Sequence, residues 1–122
     1  MKLRVYAYRG CDTCRKALQF LAEHNIAPEV VPIREQPPTV AELRRMLGYV
    51  GGDLRRLFNT SGGDYKAMKM KEKLPGLAVD DALALLATHG NLVKRPFVLS
   101  EKSGAVGFKR PEWETLLGDG AA

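Results

Sequence analysis

The segment YRGCDTCRKALQFL, residues 8–21, joins a strand pattern to a helix pattern and contains both cysteines of the chain, Cys11 and Cys14. Before it, apolar and polar residues alternate through LRVYAY, residues 3–8, which predicts a β-strand that is broken at Gly10. After the turn, the spacing of one helix face is followed by Cys14, Ala17, Leu18 and Leu21. We therefore expect a strand, a turn that carries the cysteines, and a helix.

Further along the chain, helix patterns alternate with short strand patterns. The first helix is expected to end near Asn25, and the next to begin at Thr39, which precedes Glu42 at the spacing of a capping box. Three glycines are expected to interrupt this second helix, namely Gly48, Gly51 and Gly52. The other predicted elements are a strand in PEVVPI (28–33), a short helix in DLRRLF (53–58), a loop in NTSGGD (59–64), a helix in VDDALALLATHG (79–90), a strand in RPFVL (95–99), a hairpin turn and last strand in EKSGAVGF (101–108), and a final helix in RPEWETLL (110–117).

This order of elements, β-α-β followed by helices and then β-β-α, predicts one α/β domain with a thioredoxin-like core. We expect the core to comprise about residues 1–34 and 91–122, and a helical insertion to occupy about residues 35–90. Trp113 and Phe108 are most simply core residues. The fold prediction depends chiefly on the first unit, a strand followed by Cys-x-x-Cys and a helix.

The composition is that of a soluble globular protein, with 45% hydrophobic and 27% charged residues among 122. No apolar run approaches the roughly 18 residues of a membrane span, and the first residues do not form a signal peptide, so we expect a cytoplasmic protein without membrane contact. The net charge is +5, with lysines grouped at Lys66, Lys69, Lys71 and Lys73. We interpret them as a solvated surface. No direct nucleic-acid binding is expected, because no aromatic residues are interspersed among these lysines.

Four interpretations of the cysteine pair can be compared. A zinc site needs about four ligands, and besides the cysteines the chain offers only His24 and His89, without suitable spacing; we assign neither histidine a role. A structural disulfide would close a very short loop in a reducing compartment. Two inert thiols are conceivable, since Cys14 lies on the apolar face of the helix. Redox or nucleophilic chemistry is favoured, because the pair lies between a strand and a helix.

The position of Cys11 at the start of the predicted helix favours its thiolate. Unpaired backbone N–H groups and the helix dipole stabilise negative charge there, and Arg9 and Arg15 flank the pair. Cys14 lies one turn later on the same side. Cys11 can therefore attack an oxidised substrate, and Cys14 can displace the product to leave an internal disulfide. Asp12 and Thr13 are small enough to fit the first turn without crowding the sulfurs.

Four motifs together resemble the arsenate reductase-like (ArsC/Spx/YffB) family over nearly the whole chain. They are YRGCDTCRKALQFL, LFNTSGGDYKAM, HGNLVKRPFVL and VGFKRPEWETLL. The resemblance implies a thioredoxin/glutaredoxin-like core with a mixed four-stranded sheet and an inserted helical subdomain. It also implies that Cys11 is the nucleophile, that Arg95 lies beside the active site, that Pro96 is a structural cis-proline, and that Arg110 is a further oxyanion-binding arginine. Thr13 is included with Arg95 and Arg110 among the expected substrate-binding residues.

Two departures from the family pattern bear on the substrate. Cys14 occupies a position where glutathione-coupled arsenate reductases have another residue, and Ser61 occupies a position where many relatives have arginine. The resemblance therefore implies a thiol oxidoreductase that acts on an oxyanion or on a glutathione-linked disulfide. No bound cofactor or metal is expected, and electrons would come from glutathione, thioredoxin or glutaredoxin. The alternative is an Spx-like redox-sensing regulator that binds the RNA polymerase α subunit, with Cys11 and Cys14 as a disulfide switch.

Overall fold

The computed structural model describes residues 2–121, and side chains as far as Leu117. Four short strands and six α-helices follow one another in the order β1, α1, β2, α2, α3, α4, α5, β3, β4, α6. The strands are β1 (Arg4–Ala7), β2 (Glu29–Pro32), β3 (Phe97–Leu99) and β4 (Gly104–Val106). The helices are α1 (Asp12–Glu23), α2 (Val40–Tyr49), α3 (Gly63–Ala67), α4 (Met70–Lys73), α5 (Val79–Thr88) and α6 (Arg110–Ala121). Short 3₁₀ helices occupy Leu54–Leu57, Leu74–Gly76 and Gly90–Leu92.

The strands form one mixed sheet in the order β2-β1-β3-β4. β1 pairs with β2 in parallel, with Val5 opposite Val30, and with β3 antiparallel, with Val5 opposite Val98. β3 and β4 are antiparallel. The mixed four-stranded sheet predicted from the family resemblance is thus confirmed.

Three strands, β1, β3 and β4, divide their buried side chains between two layers, because successive residues point to opposite faces, whereas no residue of β2 is fully buried. On one face, Tyr6 and Phe97 pack with buried residues of α2 and α5. On the other face, Val5 and Val98 pack with α1 and with Trp113 of α6. α2 to α5 lie between β2 and β3 in the chain, where the helical insertion is expected. The exact division of the domain at residues 34 and 91 stays a prediction.

The ends of α1 and α2 follow the local sequence closely. α1 ends at Glu23, and Asn25 takes the left-handed conformation with φ 59°, as an asparagine after a helix can. At Thr39 both halves of the predicted capping box are present: its Oγ1 accepts from the N–H of Glu42, whose carboxylate accepts from the N–H of Thr39. The prediction that Gly48 interrupts this helix is wrong: α2 continues through it to Tyr49, because glycine weakens a helix without breaking it.

The predictions differ most from the structure between residues 59 and 78. The loop predicted at 59–64 gives way to α3 at Gly63, and α4 follows after Lys69, which has a φ of 53°. These helices are too short to show an amphipathic period. The short helix predicted at 53–58 is a 3₁₀ helix at Leu54–Leu57. Trp113 is fully buried, and Phe108 is half-buried against the same core. Within the described residues, no helix is both long and apolar enough to cross a bilayer.

Candidate functional site

Cys11 is the N-cap residue of α1, directly after the turn that follows β1. Its backbone is extended, with φ −98° and ψ 117°, and its Sγ accepts a hydrogen bond from the backbone N–H of Cys14 at 3.4 Å. The N–H of Cys11 in turn donates to the carbonyl of Tyr8 at 3.1 Å, which closes the turn. Serine, threonine and aspartate usually cap helices in this way, and here a sulfur takes the place of the oxygen. Both cysteines are free thiols, Cys11 half-buried and Cys14 buried.

The two thiols have opposite electrostatic environments. Burial acts to raise the pKa of Cys11, but hydrogen bonds from the backbone and side chain of Cys14, the positive charge of Arg95 and the N–H of Thr13 together hold this pKa below its ordinary value. Burial raises the pKa of Cys14 to about 12, and its proximity to Cys11 acts in the same direction. The pair therefore presents one thiolate-forming sulfur at the surface and one protonated sulfur beneath it, which suits nucleophilic attack followed by resolution.

Arg95 lies close enough to this pair for its positive charge to act to lower the pKa of both cysteines. It precedes a cis peptide bond to Pro96. Its guanidinium lies over the ring of Tyr8, 5.1 Å from the ring centroid, and its Nη1 is buried without a hydrogen-bond partner among the described residues. A guanidinium with an unused donor beside a thiolate is suited to bind an oxyanion or a polar substrate group.

Tyr8 is a site residue that the sequence analysis missed. Arg34 approaches its ring with a Cζ-to-centroid distance of 4.8 Å, so two guanidinium groups contact the same ring. A Cβ atom at Gly10 would lie 2.7 Å from Cε2 of Tyr8, which shows how tightly the ring packs on the cysteine turn. The alternating pattern of residues 3–8 did not indicate that Tyr8 contributes to the site. Its role is visible only once Arg34 and Arg95, distant in sequence, lie beside it.

A cavity of about 360 Å³ adjoins the first turn of α1. It is lined by Thr13, Arg56, Phe58, Lys94, Val106, Gly107, Phe108 and Lys109. Of the predicted substrate-binding residues, Thr13 thus faces a cavity, and Arg56, Lys94 and Lys109 were not singled out from the sequence. Arg56 forms an ion pair with Glu112 at 3.0 Å. The two lysines could have been found from the sequence, because each precedes an Arg-Pro dipeptide, in VKRP and in FKRP.

The structure does not bring Arg110 to the cysteine pair. Its guanidinium lies 5.2 Å from the ring centroid of Phe20, about two and a half turns along α1 from Cys11, and pairs with Glu114 at 3.4 Å. Ser61 is exposed in the loop before α3. Among the described residues, no group of three or more His, Cys, Asp and Glu side chains is placed to hold a metal ion. His24 and His89 bond to carbonyls near the ends of α1 and α5.

Comparison with known proteins agrees with this fold. The sequence model of the ArsC family matches residues 6–116. Protein YusI of Bacillus subtilis is 42% identical over 93% of this chain and 97% of its own length. An arsenate reductase of Neisseria meningitidis is 31% identical, covering 95% of this chain and 98% of that protein.

Two further matches extend the comparison to a regulator and to a solved structure. The global transcriptional regulator Spx of Enterococcus faecalis is 29% identical, over 94% of this chain and 86% of that protein. The crystal structure of a protein described as ArsC-family-related, from Bacteroides fragilis, matches with a TM-score of 0.89 and 44% identity, over 95% of this chain and 98% of that one. The chain therefore belongs to the ArsC family.

Proposed function

We propose that this protein is a cytoplasmic thiol-dependent oxidoreductase in which Cys11 is the nucleophile and Cys14 the resolving thiol. The observation that carries the proposal is the contrast between the two sulfurs: Cys11 caps α1 with a lowered pKa, and Cys14 is buried with a raised one. A thiolate is the reactive form of cysteine, so this contrast supports Cys11 as the thiol that acts in the first step.

The proposed reaction transfers two electrons from the protein to a disulfide. The Cys11 thiolate attacks one sulfur of the substrate, a bond forms between them, and the other half leaves as a thiolate that takes up a proton. Cys14 then gives up its proton, attacks Sγ of Cys11 and releases the second half, which leaves a Cys11–Cys14 disulfide. Two thiols of glutathione, or a thioredoxin or glutaredoxin, would reduce this disulfide and complete the cycle.

Arg95 would bind the substrate beside the attacking sulfur. Its unpartnered buried Nη1 is a donor for which burial costs about 1–3 kcal/mol unless an acceptor arrives. A substrate oxyanion or carbonyl would provide that acceptor. Arsenate remains a candidate substrate because an arsenate reductase is among the relatives, although Ser61 leaves the middle motif without its arginine.

The proposal is tested by turnover with arsenate and, separately, with a mixed disulfide of glutathione, in the presence of glutathione or of a thioredoxin system. Wild type is compared with Cys11→Ser and Cys14→Ser. We expect Cys11→Ser to be inactive and Cys14→Ser to accumulate a mixed disulfide at Cys11, seen as an added mass. Equal turnover by wild type and Cys11→Ser would refute the proposal.

A second candidate is a redox-sensing regulator, favoured by the similarity to Spx over most of both chains. In that function, oxidation of Cys11 and Cys14 would alter the start of α1 and change an interface with the RNA polymerase α subunit. Co-purification with the α subunit, using reduced and oxidised protein, tests this alternative. Binding that differs between the two states would support the regulator, and lack of binding in both would exclude it.

A further inference from the structure

The cavity beside the first turn of α1 has walls from four separate parts of the chain. Thr13 comes from α1, Arg56 from the 3₁₀ helix at Leu54–Leu57, Lys94 from the segment before β3, and Lys109 from the residues before α6. Its floor is formed by Phe58 and Val106, which are buried, and by the half-buried Phe108. We call this cavity the basic pocket.

Backbone hydrogen bonds join the walls of the basic pocket to one another and to the cysteine site. The N–H of Lys94 donates to the carbonyl of Leu57 at 2.8 Å, which ties the lysine to the 3₁₀ helix of Arg56. The N–H of Gly107 donates to the carbonyl of Pro96 at 2.8 Å, directly after Arg95. The carbonyl of Gly107 accepts a hydrogen bond from the indole N–H of Trp113 at 2.9 Å. The pocket is thus a formed feature that adjoins the Arg95–Pro96 turn.

The charge of the basic pocket comes from its two lysines. Arg56 is neutralised by Glu112, at 3.0 Å. Within the described part of the chain, neither Lys94 nor Lys109 has a carboxylate within ion-pair distance, and no acidic residue lines the pocket. The pocket therefore combines an apolar floor with uncompensated positive charge. Such a site favours an organic anion over a neutral molecule of the same size.

We propose that the basic pocket binds the carboxylate-bearing half of a small disulfide substrate, with the carboxylate on Lys94 and Lys109. This rests on the proposed function and assigns Lys94 and Lys109 as the residues that make it prefer an acidic disulfide over a neutral one. The half held in the pocket is the one that becomes joined to Cys11, and the other half leaves as a thiolate. A volume of about 360 Å³ lies within the range of small-ligand pockets.

The test isolates the first step in a Cys14→Ser background, where the mixed disulfide at Cys11 is not resolved. Two probes are compared by stopped-flow absorbance: bis(carboxynitrophenyl) disulfide, with a carboxylate on each half, and neutral dipyridyl disulfide. The pocket variant is Lys94→Gln with Lys109→Gln. The matched control is Lys66→Gln with Lys73→Gln, which removes the same charge from exposed positions on α3 and α4. Lys109→Gln alone, at an exposed position, serves if the double variant does not fold.

We expect the pocket variant to lower the rate with the dicarboxylate by about three- to tenfold and to leave the rate with dipyridyl disulfide unchanged. The control pair should affect neither probe by more than about twofold, and high salt should remove most of the difference. The proposal would be overturned if the pocket variant slowed the reactions with both probes equally, or if the pocket and control variants had equal effects. If Cys11 reacts no faster than free cysteine with either probe, the proposed function itself fails. These two failures are therefore distinguishable.

Discussion

Adding one methyl group at Gly90 should destabilise the fold, because the chain passes unusually close to the end of β2 at this glycine. A Cβ atom there would lie 2.9 Å from Cα of Arg34 and from the carbonyl carbon of Ile33, and closer still to the carbonyl oxygen of Ile33. Ordinary contacts of a Cβ atom are 3.4–4 Å, so these backbones must separate by at least half an ångström. The backbone of Ile33 does not shift easily, because its N–H is bonded to the carbonyl of Ala7 at 3.0 Å.

We expect Gly90→Ala to lower the free energy of unfolding by about 3 kcal/mol. This is the upper end of typical overpacking costs, because the added methyl group meets the backbone of Ile33 and Arg34 and not a flexible side chain. Gly48→Ala is the matched control. Gly48 lies inside α2 with no atom within 4 Å of its would-be Cβ, so the same methyl group should raise the free energy of unfolding by up to about 1 kcal/mol.

Urea unfolding followed by fluorescence of Trp113, the one tryptophan of the chain and fully buried, measures both variants. Opposite changes in the midpoint with an unchanged slope are expected, and a melting temperature about 10 °C lower for Gly90→Ala. A Gly90→Ala protein within about 0.5 kcal/mol of wild type would refute the close approach of Gly90 to Ile33.

Three other predictions concern the site and the junction between β1 and α2. Alkylation of Cys11 by iodoacetamide should have its midpoint at a lower pH than that of a free cysteine, while Cys14 stays unmodified; Arg95→Gln should move this midpoint to higher pH, as peptide mass spectrometry would show. Tyr8→Leu should move it in the same direction by releasing Arg95, whereas Tyr8→Phe, which keeps the ring, should leave it unchanged. Burial opposes ionisation of Glu42, but hydrogen bonds from Thr39, Tyr6 and Arg4 hold its pKa below the ordinary value. The contribution of the ionised Glu42 to the free energy of unfolding is therefore complete above about pH 4.3, the pKa of the unfolded chain, and is lost as the pH falls through the folded pKa. Glu42→Gln should therefore cost about 1–3 kcal/mol of unfolding free energy at neutral pH, and this cost should shrink in acid-titrated urea melts.

Much of the fold was predictable because it depends on short-range patterns. The strand predicted from the alternation in residues 3–8, the capping box at Thr39 and the helix end near Asn25 depend on residues a few positions apart, and each occurs where the sequence predicts it. Segments without such a pattern were missed. α3 and α4 are held by tertiary burial of Tyr65 and Met70, and five- or four-residue helices carry no period that a sequence can show.

The candidate site was predictable only where one motif contains it. Cys11 and Cys14 lie one helical turn apart, so the N-cap position of Cys11 and the burial of Cys14 follow from the local helix. The resemblance to the family added Arg95. The contacts of Tyr8 with Arg34 and Arg95, and of Arg56 with Glu112, join residues far apart in the chain, and no spacing rule relates them. Arg110 was expected at the site because of its dipeptide, but its helix carries it to Phe20.

Two buried polar atoms lack a partner among the described side chains: one belongs to Arg95, close to the cysteine pair, and the other to Glu112, the ion-pair partner of Arg56. Nη1 of Arg95 is a donor without an acceptor, and Oε2 of Glu112 is an acceptor without a donor. Folding alone would select against both, because each costs about 1–3 kcal/mol. The two atoms differ in whether they can bind an anion. Glu112 accepts from Arg56 through Oε1, and its Oε2 is a negatively charged acceptor that can bind no anion, whereas Nη1 of Arg95 is a donor that can bind one close to Cys11. Under the proposed function, the guanidinium available for substrate is that of Arg95, and the lysines of the basic pocket would supply the remaining attraction for a negatively charged disulfide.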